Sequence, residues 1–90
     1  AYFSLGQYQQ AIDYYGQALA IHRQIGDRLR EAIRLHGLGN AYGDQGDYAQ
    51  ALTYLRQARD LFAELGTQQH VATAERNIAR FEAAQRGDDA

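Results

Sequence analysis

The tract Gly-x-Tyr-x-x-Ala-x-x-Tyr occurs twice, from Gly6 to Tyr14 and again from Gly46 to Tyr54. Sliding the chain against itself by forty residues matches eleven residues in the first 32 pairs. They include Tyr2 with Tyr42, Gly6 with Gly46, Ala11 with Ala51, Ala18 with Ala58 and Gly26 with Gly66. Identities at small and aromatic positions, at a period of about 20 to 50 residues, mark supersecondary units that stack and bury their apolar faces on each other.

Within one period the apolar residues step by three and four, the rhythm of a helix. Tyr8, Ala11, Ile12, Tyr15, Ala18 and Leu19 carry it first, and Tyr48, Ala51, Leu52, Leu55, Ala58 and Phe62 repeat it. Leu29, Ala32, Ile33, Leu35, Leu38, Ala41 and Tyr42 mark a helix between them, and Val71, Ala74, Ile78 and Phe81 a last one. Gly26-Asp27 and Gly66-Thr67 each couple a helix-stopping residue to a cap for the next helix, and Asp47 with Gln50 reads as a capping box. Turns at Gly6, Gly26, Gly46 and Gly66 are too short for anything but antiparallel neighbours. The expectation is a helix tail at 1–5 and helices at 7–25, 28–45, 48–65 and 68–85, with a loose end after them. The fold class is all-α: antiparallel helical hairpins stacked as a right-handed α-solenoid. One domain covers 1–85, made of a partial repeat at 1–25, a repeat at 28–65 and a terminal helix at 68–85, and 86–90 is a flexible tail. The first residue is not Met and the chain starts inside a period, as a piece of a longer array would.

Composition narrows the function classes. Nine arginines, no lysine and eleven acids are interspersed and give a net charge of −2, without the basic stripe that nucleic-acid binding requires. No apolar run reaches the length of a membrane span. With no cysteine, neither disulfides nor thiolate metal sites can form. His22, His36 and His70 fall on different helices without metal-ligand spacing, and His22, which matches Phe62, reads as a packed imidazole. Gly37-Leu38-Gly39-Asn40-Ala41-Tyr42 lacks the third glycine and the preceding strand of a dinucleotide fingerprint. Arg86-Gly87-Asp88 spells an adhesion tripeptide that three residues match readily by chance. No nucleophile, base and acid come together, so no enzyme, cofactor or metal is expected.

Leu38-Gly39, Tyr42, Gly46, Tyr48, Ala51, Leu55 and Ala58 resemble the tetratricopeptide repeat, and the earlier copy supplies Tyr2, Gly6, Tyr8, Ala11, Tyr15 and Ala18. The forty-residue spacing, the Gly26-Asp27 linker and the string Leu38-Gly39-Asn40-Ala41-Tyr42 are similar to the longer-helix subclass that includes kinesin light chains and the Leu-Gly-Asn repeat adaptors. At the positions matching Leu38, Gly39, Tyr42 and Gly46 stand Ile78, Ala79, Glu82 and Arg86, so the last helix is expected to be a cap with a polar outer face.

The resemblance implies a protein-interaction scaffold, cytoplasmic, that binds a peptide or partner domain on its concave face. Its inward positions fall on Ile33, His36, Asn40 and Asp44, and on the next helix Thr73, Arg76 and Arg80. The Asn40 amide carries both donor and acceptor for a peptide backbone. Arg76 and Arg80, one turn apart, can address acidic residues of that peptide. Gly39 suits close helix approach, while Gly37 and Gly43 could leave room for a partner. The alternative function is a structural spacer, stacking on neighbouring repeats or on another copy as a homo-oligomer through its exposed ends, without a dedicated ligand.

Overall fold

The computed structural model describes residues 5–87, which form four helices in sequence: α1 (Leu5–Ile25), α2 (Arg28–Gln45), α3 (Tyr48–Leu65) and α4 (Gln68–Arg86). Among the described residues there is no strand. No helix there is long and apolar enough to cross a membrane. The expected tail at 1–5 lies outside the described residues except for Leu5, the first residue of α1. The turn expected at Gly6 is absent, because Gly6 sits inside the first turn of α1. Arg86, placed in the tail by the sequence, is still helical, and residues 88–90 lie outside the described part.

The chain reverses at Gly26, Gly46 and Gly66, each in the left-handed region with φ between +75° and +98°, which a side chain would strain. At Gly46 the backbone N–H groups of Gly46 and Asp47 bond to the carbonyls of Gly43 and Tyr42 at 3.0 and 2.9 Å, closing the helix end. The next helix starts at once: an Asp47 side-chain oxygen accepts from the Gln50 N–H at 3.2 Å, and Asp27 accepts likewise from Arg30 at 3.1 Å. That bond holds the Asp27 carboxyl below its usual range. Thr67 departs from the expected pattern. It makes no side-chain cap bond, and its hydroxyl instead lies 2.6 Å from His70 Nδ1.

Helix α2 packs between α1 and α3, and α4 packs on α3 while touching α2. One core joins Ile12 and Leu19 of α1, Ala32, Leu35, Leu38 and Ala41 of α2, and Ala58, Leu61 and Phe62 of α3. A second joins Ala51, Leu52 and Leu55 of α3 to Ile78 and Phe81 of α4. Ala51 and Ala58 are completely buried, whereas their counterparts Ala11 and Ala18 are only partly buried.

Candidate partner-binding groove

The three glycines of α2 are explained by what lies across from them. A Cβ on Gly39 would stand 2.6 Å from Leu55 Cγ and 3.0 Å from the Ala51 carbonyl, so α2 and α3 meet at this point. A Cβ on Gly37 would come within 2.8 Å of the Tyr15 ring, and one on Gly43 would enter the ring of Phe81. The space expected at Gly37 and Gly43 for a partner is therefore filled by the chain's own aromatic rings.

Two contacts join α2 to α4 among the residues expected to face inward. His36 on α2 and Asn77 on α4 are hydrogen bonded, Nε2 to Nδ2, at 2.9 Å. Further along the same two helices, Asp44 and Arg80 pair at 3.7 Å. Both partners of that pair are about half exposed, a setting in which ion pairs contribute about 0–1 kcal/mol. The Arg80 guanidinium lies over the Phe81 ring at 4.4 Å. Arg76 is exposed and has no ion pair among the described residues. Thr73 is half-buried, and its hydroxyl donates to the Gln69 carbonyl at 3.1 Å.

Two clefts run along α2, divided where Tyr15 covers Gly37. The larger, about 320 Å³, is lined by Tyr15, Ile33, Arg34, His36, Phe62 and His70. Phe62 forms its floor, with His70 stacked on it at 4.7 Å and His36 edge-on at 6.2 Å. Burial, and then the nearby His70, hold the His36 imidazole below its usual range, so it stays neutral and can accept at Nε2. The smaller cleft, about 170 Å³, is lined by Tyr8, Ala11, Tyr15, Asn40, Ala41 and Asp44. This cleft lies between α1 and α2, and Asn40 lines it although its amide oxygen is itself shut off from water and finds no donor among the described residues.

Ile33, His36, Asn40 and Asp44 thus share the groove side of α2, and Arg80 joins them through Asp44. Tyr15, Phe62, His70 and Asn77 were not expected there. The match of Phe62 to His22 across the period gave a hint of a wall position shared by ring side chains, but Tyr15 and Asn77 reach the groove only through tertiary packing. Among the described residues no group of three His, Cys, Asp or Glu side chains could hold a metal ion.

A family model described as Tetratricopeptide repeat matches residues 1–64. Neither a curated protein nor a solved structure matches the chain.

Proposed function

Because the chain belongs to the tetratricopeptide repeat family, whose repeats mediate protein–protein interactions, we propose that it binds a peptide or partner domain along the groove between α2 and α4. The observation that carries this reading is the cleft of about 320 Å³ that Ile33 and His36 of α2 and His70 of α4 wall, with Phe62 beneath it. Asn40 lines the neighbouring cleft between α1 and α2, and a turn of its amide offers a peptide backbone both donor and acceptor. The larger cleft, with Phe62 and Ile33 in its wall, accepts one apolar side chain of the same peptide. Arg76 and Arg80 favour acidic residues beyond it, and Arg80 exchanges its long contact with Asp44 for the ligand's carboxylate. The forty-residue period and the string Leu38 to Tyr42 favour the longer-helix subclass, with 28–65 as its complete repeat and 68–85 as a capping helix.

The test is selection of displayed random dodecapeptides on the intact chain, followed by titration of the enriched sequences. Asn40→Ala should weaken the selected peptides up to about tenfold, the scale of one lost neutral hydrogen bond, and the pair Arg76→Glu, Arg80→Glu about tenfold or more, the scale of a lost charge-assisted bond. If no sequence is enriched, or both variants leave affinity unchanged at low salt, docking fails and the spacer reading takes its place. One observation favours that second reading. Tyr14, Ile21 and Ile25 on α1 are large, apolar and more than half exposed, as a face that stacks on another helix would be.

A further inference from the structure

One side of α3 stays exposed although α2 and α4 both pack on that helix: Thr53, Arg56, Gln57 and Asp60 lie along it. Their counterparts forty residues earlier, Asp13, Gly16, Gln17 and Ala20, are exposed on α1 too, and they form one wall of a groove of about 560 Å³. Leu38 and Tyr42 of α2 make its floor, and Tyr54 of α3 its far side. Because α3 leaves these positions open with both neighbours in place, a further helix stacked on α1 leaves this groove open as well. Leu38 and Tyr42 each follow a residue of the other face, His36 and Asn40, by two positions. That is about 200° around α2, so the groove points away from the one between α2 and α4.

The second period answers its own charge on this side. Arg56 crosses from α3 to α4 and meets the Glu82 carboxylate at 2.9 Å. In the first period those two positions hold Gly16 and Tyr42, and a Cβ built on Gly16 has nothing within 4 Å. The acid stands instead at Asp13, where the second period has Thr53 with its hydroxyl turned back to the Ala49 carbonyl. Asp13 accepts from Gln9 Nε2 at 3.0 Å and has no ion pair among the described residues. No arginine or histidine lines the groove, and Tyr42 and Tyr54 stack there at 5.6 Å and 7°. Burial, and then Tyr54, Asp47 and Asp13, hold the Tyr42 phenol above its usual range, as surroundings that resist further negative charge do. Ile12, Leu19 and Leu38 give the carboxylate an apolar bed beside it. Arginine suits that combination: its stem covers apolar surface, and its flat guanidinium both stacks on aromatic rings and pairs with a carboxylate. Lysine has no flat face for the rings, and an apolar side chain would strip water from Asp13 without replacing it.

We infer that the groove between α1 and α3 receives an arginine of a partner protein, its stem along Ile12, Leu19 and Leu38 and its guanidinium between the Asp13 carboxylate and the rings of Tyr42 and Tyr54. The partner thus brings from outside the cation that Arg56 supplies within the chain one period later. Gly16 keeps the way in clear, since any longer side chain at that position would lie over the groove. This surface and the α2–α4 groove share no residue, and neither proposal depends on the other.

The probes are the acetylated, amidated pentapeptide Ala-Leu-Arg-Leu-Ala and its twin with citrulline for arginine, which keeps the stem and the flat head but carries no charge. Titration of the isotope-labelled intact chain, followed by NMR at millimolar peptide, should give saturable shifts centred on Asp13, Gly16, Tyr42 and Tyr54. The citrulline peptide should bind about tenfold more weakly, the scale of one charge-assisted bond. Asp13→Asn should erase that difference. Gly16→Arg, which fills the place as Arg56 does in the second period, should abolish binding of both peptides with the circular dichroism unchanged. Equal affinities for the two peptides, no saturable shift, shifts centred on Asp60 and Glu64, or an arginine preference that survives Asp13→Asn would each overturn the inference. So would a chain that sediments as a dimer and becomes monomeric with Gly16→Arg, which would give the groove to a second copy.

Discussion

Gly43 lies where α2 meets the ring of Phe81, a buried residue of α4. Alanine there gains about 1 kcal/mol of helix propensity. It also drives a methyl group into an aromatic ring that the second core holds in place, and overpacking costs about 1–3 kcal/mol. Gly43→Ala should therefore lower stability in urea unfolding, whereas alanine at an exposed helical glycine such as Gly16, with open space around it, should raise it. His36 carries a second prediction. Its pKa is 6.5 in an open chain and lower in the folded one, because burial disfavours the imidazolium. Between the two values the unfolded state binds more protons, so this residue's effect is to lower stability as pH falls through about 6.5, levelling off below the folded pKa. The protonated ring also loses its Nε2 acceptor toward Asn77. Melting temperatures from pH 8 to pH 5 should drop less for His36→Gln than for the unaltered chain. The sequence announced that these residues were unusual without saying why. Three glycines within one helix pattern demand close neighbours, but Tyr15 and Phe81 are brought to them from 22 and 38 residues away, and no local signal carries that.

Ends of elements were far more legible, because capping is local chemistry. Helices α2 and α3 begin and end where Asp27, Gly46, Asp47 and Gly66 place them. Asp47→Ala removes the acceptor for the Gln50 N–H and should cost about 1 kcal/mol, read as a shifted urea midpoint at constant slope. Thr67→Ala should cost less, since the Thr67 side chain makes no cap bond and its hydroxyl is engaged with His70. Gly6 misled for the opposite reason. A glycine is permitted in a turn but does not compel one, and the apolar rhythm from Tyr8 onward extends the helix back through it. Thr67 also misled: the residue type suits a cap, yet a ring nitrogen 2.6 Å away claims its oxygen.

Taken whole, the molecule is a row in which each helix is held by its neighbours, so protection should follow position in the row. Amides in the middle of α2 and α3, packed on both sides, should exchange slowest, and those of α1, which leans on α2 alone among the described helices, fastest; native-state hydrogen exchange read by mass spectrometry checks this order. The sequence carried this architecture plainly, since a period and four apolar stripes leave few ways to pack. It carried the groove only in outline, placing one side of α2 and of α4 but not the rings from α1 and α3 that close its walls. The left-handed turns at Gly26, Gly46 and Gly66 fall twenty residues apart, so the polypeptide is metered like a folding rule. Such a chain can gain or lose forty residues in one step and stay in phase with itself. A single extra residue in the middle of α3 would instead swing everything after it by about 100° and lift Leu61 and Phe62 out of their places.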